Sequence, residues 1–157
     1  MQVLTFQHEH ENYCLNIEDV SAVLQHVEVL SLPRVPALFE GIFQLRGKII
    51  TLFNFERHLG VADSERESQI LVFSEPRSHF AMRVPGLIEA MTLHSDPKDL
   101  TGQETKVSPF LEAIVYDGHE IYHLLSASRI FSRVGMVLKE QLPAVAEAAD
   151  QKDGGTH

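Results

Sequence analysis

One cysteine, Cys14, and no tryptophan occur in 157 residues. A single thiol forms no intrachain disulfide, which excludes the stapled framework of a small secreted domain. Basic residues are scarce as well: 13 Lys and Arg stand against 22 Asp and Glu, a formal charge of −9. Proteins that track phosphates or lie on anionic lipid displace counterions with clustered Lys and Arg, and this chain has no such cluster. The charge balance and the absence of tryptophan also weigh against a single-strand binder, which uses a basic groove and aromatic stacking platforms. No apolar run approaches the roughly 18 residues of a membrane helix, and Met1 to His8 carries no basic signal segment. The expectation is a soluble cytoplasmic chain with no nucleic-acid partner and no membrane insertion. At roughly 100 to 200 residues per domain, it is one domain or one unit of two small lobes.

What is present is mostly written with period two. Leu4 and Phe6 share a face, as do Tyr13, Leu15 and Ile17, around a polar connector at His8 to Asn12, so the chain opens with a hairpin. Val20, Val23, Leu24 and Val27 then follow helical spacing behind Asn16, a candidate N-cap, which predicts a short amphipathic helix or helical turn. Pro33 and Pro36 stop it. One more helical turn is expected over Pro36 to Glu40, ended by Gly41. Ile42 to Leu45, Arg46-Gly47-Lys48 and Ile49 to Phe55 read as strand, tight turn and strand. Residues 62–68 form a solvated linker between two halves.

The second half repeats the plan. Gln69 to Phe73 and His79 to Val84 are strands around a turn at Glu75 to Ser78. Thr92 to Thr105 reads as a long loop. Asp117-Gly118 predicts a type I′ hairpin in which Ile114 opposes Ile121 and Ala113 opposes Tyr122. Ser126 caps a final helix with Ile130, Phe131, Val134 and Leu138 as its apolar stripe, and Pro143 ends it. Residues 1–142 are expected to form the domain and 143–157 a disordered tail. Short strands at this spacing favour small barrels.

Enzymatic chemistry finds no support. Nine histidines invite a metal, yet His8 and His10 lie in a connector. His119 and His123 are about 13 Å apart at roughly 3.4 Å per strand residue. No metal or cofactor is expected. Cys14 alternates with apolar residues and reads as packing. Ser126 lacks a nucleophile elbow, and Gly41 and Gly47 are too far apart for a phosphate loop. What stands out is Gln44-Leu45-Arg46-Gly47-Lys48, an arginine presented from a tight turn on a stiff apolar scaffold. Its planar fork of donors suits carboxylates and carbonyls of a protein partner, although on the residues alone an ordinary solvated turn arginine is the favoured reading.

The run from Leu32-Pro33-Arg34-Val35-Pro36 through Gly41-Ile42-Phe43-Gln44-Leu45-Arg46-Gly47-Lys48-Ile49-Ile50 to His58-Leu59-Gly60 resembles the centre of the CheW family of chemotaxis coupling proteins. Val84-Pro85-Gly86-Leu87, Ala113 to Gly118 and Leu124-Leu125 match it more weakly, and the likeness covers roughly residues 3–133. It implies a mainly β fold: two small five-stranded SH3-like barrel lobes sharing a core, with short helices and a C-terminal helix. It implies a non-enzymatic adaptor joining chemoreceptor cytoplasmic tips to a CheA-type histidine kinase, cytoplasmic and recruited to receptor arrays. Leu45, Arg46 and Gly47 match the family's Leu-Arg-Gly. Arg46 is the position associated with receptor contact, and Lys48 extends the same turn. No kinase-facing residue is assigned. Gln44 replaces the usual Asn, Thr51 a common Pro, Asn54-Phe55 an Asp-Leu pair, and Pro85 a common Asp. These departures suggest a divergent member serving an alternative chemosensory or pilus-motility pathway. A sensor module holding a small molecule between its lobes is the alternative from another class.

Overall fold

The computed structural model describes residues 1–63, 67–99 and 108–141. The protein is mainly β, with eleven strands among the described residues in two antiparallel-rich sheets. In chain order they are β1 (Gln2–His8), β2 (Glu11–Asn16), β3 (Val20–Leu24), β4 (Phe39–Leu45), β5 (Lys48–Asn54), β6 (Ser68–Phe73), β7 (Phe80–Pro85), β8 (Glu89–Thr92), β9 (Lys98–Asp99), β10 (Leu111–Asp117) and β11 (Glu120–Leu125). Two α-helices are found among the described residues, α1 (Phe55–His58) and α2 (Ala127–Gln141). The first sheet has the order β8-β1-β2-β11-β10-β9 and the second β3-β6-β7-β5-β4. Each lobe therefore has five full strands, and the first adds the two-residue β9.

The lobes interleave. The first sheet takes β1 and β2 from the start of the chain and β8 to β11 from its later part, while the second takes β3 to β7. The elements on either side of 62–68 therefore do not fall into two separate halves, since β5 before it and β6 after it belong to the same sheet; 64–66 lie outside the described residues. The second sheet is nearly closed. The chain leaving β3 returns at Leu30, whose N–H and C=O exchange bonds of 2.8 and 3.0 Å with Ile42 on the free edge of β4.

Several local expectations change in the fold. Val20 to Val27 is not a helix: a single 3-10 turn over Ile17–Asp19 takes the Asn16 cap. Val20–Leu24 then alternates partly buried and exposed residues while pairing with β6. Backbone pairing with a neighbouring strand outweighs the helical spacing of four β-branched or aliphatic residues. Pro36 to Glu40 makes only one turn, closed by Phe39 N–H to Pro36 O at 3.0 Å, before β4 begins. Gly41 sits at a register shift in that strand rather than at a helix end. Its φ is +148°, and a Cβ there would stand 2.2 Å from the Leu30 carbonyl oxygen. Phe55 leaves the strand to start α1, because Asn54 Oδ1 accepts from Arg57 N–H at 3.2 Å and caps the turn. Within 92–105, β8 ends at Thr92 and β9 adds Lys98–Asp99 to the sheet; 100–105 lies outside the described residues.

The β10–β11 hairpin forms, but two residues out of the expected register: Tyr116 opposes Ile121, Ile114 opposes His123 and Ala113 opposes Leu124. The turn is centred on Gly118-His119. Gly118 has φ +63° and His119 is not left-handed, the pattern of a type II′ rather than a type I′ turn. Ser126 does cap α2, its Oγ accepting from Arg129 N–H at 3.2 Å. Ile130 and Val134 are buried with Phe131 packed beside them. The side chain of Leu138, Pro143 and the tail lie outside the described residues.

Three apolar clusters are found among the described residues. Val3, Cys14, Val115 and Leu124 fill the first lobe, and Phe43, Ile50, Ile70 and Val72 the second. The third is shared: Phe6, Tyr13 and Leu15 meet Phe53, Phe55, Phe73 and Met82, with α2 laid across them. Phe55 is its centre, with Phe6 and Tyr13 edge-on at 5.0 and 5.2 Å between ring centroids. Phe131 of α2 meets Phe73 edge-on at 4.8 Å.

Candidate functional site

The β4–β5 hairpin sets the site. Leu45 and Lys48 oppose each other across a two-residue turn in which Arg46 and Gly47 both have positive φ, 50° and 77°. That is the type I′ geometry, in which Gly is at ease and Arg is not; a left-handed L-residue costs roughly 1 kcal/mol. Arg46 is exposed, and among the described residues its guanidinium makes no hydrogen bond or ion pair. Leu45 is half-buried against the second lobe's core.

Lys48 behaves differently from its neighbour. Its ammonium donates to Ser78 Oγ at 2.9 Å and lies 3.6 Å from Glu75 Oε1, while Ser78 Oγ donates to the same Glu75 oxygen at 2.5 Å. The Ser78 hydrogen bond, followed by the Lys48 charge, holds the Glu75 carboxyl below its usual range. Lys48 thus braces the hairpin against the β6–β7 loop, and the four expected site residues divide into an exposed Arg46-Gly47 tip, a half-buried Leu45 and an internally engaged lysine.

Behind the tip the sheet carries a polar ladder across four strands. Arg83 Nε donates to Glu40 Oε2 at 2.7 Å, Asn54 Nδ2 donates to the same oxygen at 3.0 Å, and Arg83 Nη1 reaches Ser68 Oγ at 2.9 Å. Arg57 fastens the proline-containing connector: it grips Asp63 with Nε and Nη2 at 3.1 and 2.8 Å and donates from Nη1 to the Ala37 carbonyl at 3.1 Å. The Arg57 hydrogen bond keeps the Asp63 carboxyl below its ordinary range.

Beside the tip lies an apolar groove of about 690 Å³, between the free edge of β4 and the segment from Leu24 to Leu30. Leu30 and Ile49 are 64% and 60% exposed on its rim. Sequence reasoning missed this feature because it placed Val20 to Val27 on a helix; the alternation of β-branched and polar residues in Val27-Glu28-Val29 was the available signal.

The remaining candidates have structural surroundings. Cys14 is fully buried, and burial pushes its thiol up to about 12, so little thiolate forms at neutral pH. Among the described residues no three His, Cys, Asp or Glu side chains come together as a metal would require. His123 tilts against Tyr13 at 5.3 Å. His8 meets Glu56 at 3.3 Å, both side chains buried, linking β1 to α1. No described helix is long and apolar enough to cross a membrane.

Two interleaved β lobes on a shared aromatic core, covered by one helix and presenting a hairpin tip, define a two-lobed, mainly β domain whose sheets stop short of closed barrels. The chain belongs to the CheW-like domain family, whose pattern matches residues 2–135. The chemotaxis protein CheW of Thermotoga maritima is 22% identical over 125 residues, 78% of this chain and 83% of that protein. The chemotaxis protein CheW of Treponema pallidum is 34% identical over 67 residues, 43% of this chain and 39% of that protein. The crystal structure of the scaffolding protein TtCheW from Thermoanaerobacter tengcongensis superposes with a TM-score of 0.71 at 22% identity, covering 83% of this chain and 91% of that one. At that identity the likeness is one of fold.

Proposed function

We propose that this protein is a non-enzymatic adaptor that couples the cytoplasmic tips of chemoreceptors to a CheA-type histidine kinase, working in the cytoplasm at receptor arrays. Membership of the CheW-like family and the scaffolding and chemotaxis roles in its relatives' names support the class. The observation that carries the site is Arg46, held in a left-handed turn with its guanidinium free of the described fold. Such a residue costs the fold conformational energy and returns no internal contact, so its chemistry is directed outward, toward a partner's carboxylates. Leu45 and Gly47 complete the contact, and Lys48 sets the angle of the tip. Coupling is then mechanical: kinase output shifts only as far as the contacts differ between signalling states. A small-molecule sensor would need an open cleft between its lobes, whereas Phe6, Tyr13, Phe53 and Phe55 fill that space.

The test is co-sedimentation of the full chain with receptor fragments and kinase. Arg46→Glu is expected to weaken receptor association at least about tenfold, one charge reversal at a desolvated contact being worth 1.4 kcal/mol or more, with circular dichroism unchanged. Undiminished receptor binding in a folded Arg46→Glu variant removes Arg46 from the contact.

A further inference from the structure

We propose that the open seam of the second lobe is a docking site for an extended acidic peptide segment of a protein partner, added as a short strand to the free edge of β4. The inference rests on the adaptor reading for its protein partner and goes further in stating the conformation and chemistry of what binds.

The backbone carries the argument. In an antiparallel strand, residues alternate between those that bond to one neighbour and those that bond to the other. Ile42 bonds outward to Leu30, so Gln44, two residues on, also points its N–H and C=O outward. If the ladder from Leu30 continued, Gln44 would meet Glu28, and it does not: the bridge is isolated, and among the described residues the Gln44 backbone has no such partner. The segment from His26 to Glu28 swings away from β4 and opens the apolar groove, with Leu24, Val27 and Leu45 lining it and Leu30 and Ile49 at its rim. An edge with free donor and acceptor beside an apolar groove is the arrangement that strand addition uses: main-chain bonds hold the peptide, and alternate side chains fill the groove.

Three features select the occupant. A helix has no free main-chain groups along its side, so on this edge it would bury the Gln44 N–H and C=O without partners, which is unfavourable. A second copy pairing β4 to β4 would bring two Arg46 side chains to the same short ladder, like charge beside like charge, whereas a peptide can place its carboxylate at the Arg46 end and away from Glu28, which also lines the groove. An extended segment with apolar residues at alternate positions and a carboxylate at the Arg46 end satisfies the edge, the groove and the guanidinium together.

The experiment titrates the full chain into the synthetic peptide fluorescein-Glu-Val-Thr-Val-Thr-Val-Glu-amide, following anisotropy, and measures amide hydrogen exchange of the chain with the acetyl-capped peptide of the same sequence. Saturable binding is expected, with exchange at the Gln44 amide slowed at least about tenfold in the complex. Gln44→Pro deletes the outward N–H at an edge position where proline is tolerated, and is expected to weaken binding about tenfold; Arg46→Glu should do the same. Should the proline variant misfold, exchange at Gln44 in the unaltered chain decides. Absence of binding, binding without protection at Gln44, or tighter binding of a stapled helical peptide of the same composition overturns the proposal. So does a concentration-dependent dimer that Gln44→Pro dissolves, which would make a second copy the occupant. If the peptide fails while the chain still co-sediments with receptor and kinase, this inference alone falls; if co-sedimentation fails while the peptide binds as described, the adaptor reading falls.

Discussion

Asn54 performs two tasks that an aspartate could not combine. Its Nδ2 donates to Glu40 while its Oδ1 caps α1, and the residue is 3% exposed. Asn54→Asp would keep the cap but set a second carboxylate against Glu40 with no proton to share. We expect a loss of about 1–3 kcal/mol, read from urea denaturation, with the α1 turn retained. His58 makes the second residue-level prediction. Burial, then the Arg133 charge, lowers its imidazole to about 4 from 6.5, and its Nε2 is buried without a partner among the described residues. The unfolded chain therefore binds a proton between these values that the fold does not, so stability falls as pH drops from 6.5 toward 4, by up to roughly 3 kcal/mol. His58→Phe should flatten that part of the stability profile; an unchanged profile would assign the acid sensitivity elsewhere. The Arg46 turn was legible in the sequence because an Arg-Gly pair between two apolar runs has few other solutions. The Lys48 brace was not, since Ser78 lies 30 residues away and only the fold brings the loop to the hairpin.

Among the elements, most strands were readable from alternation, and the errors cluster where pairing overrides local pattern. The segment from Val20 has helical spacing yet becomes β3, because β6 offers it backbone partners. The last hairpin shows a subtler limit: Asp-Gly marks the turn, but a type II′ loop centred one residue later shifts every pair while keeping each residue on its face. Gly41 looked like a helix stop and is instead the point where two backbones touch. Gly41→Ala would drive a Cβ into the Leu30 carbonyl from a φ that L-residues rarely adopt. We expect a loss of roughly 2 kcal/mol or more and faster hydrogen exchange at the Leu30 and Ile42 amides that form the bridge. A variant with unchanged exchange at both would show that the seam is closed by something other than this contact.

For the molecule as a whole, the alternating strands pointed correctly to a mainly β fold and the family resemblance to two lobes on a shared core, while the interleaving of those lobes was invisible to a reading that runs along the chain. The shared core makes a direct prediction. Phe55→Ala removes the ring that joins Phe6 and Tyr13 of one lobe to the second, at an expected cost of about 3–5 kcal/mol. Exchange-protected amides in both sheets should lose protection together, because one cluster stabilises both. Separate transitions for the two sheets would show that each lobe stands on its own cluster. The interleaved order of strands also bears on how the protein is made and how it can change. During synthesis β1 and β2 emerge first, yet their sheet partners β8 and β11 begin at residues 89 and 120, so the second lobe can assemble while the first waits for its other half. A genetic exchange that replaced either end of the chain alone would split the first lobe, whereas the stretch from β3 to β7 could be exchanged as one piece.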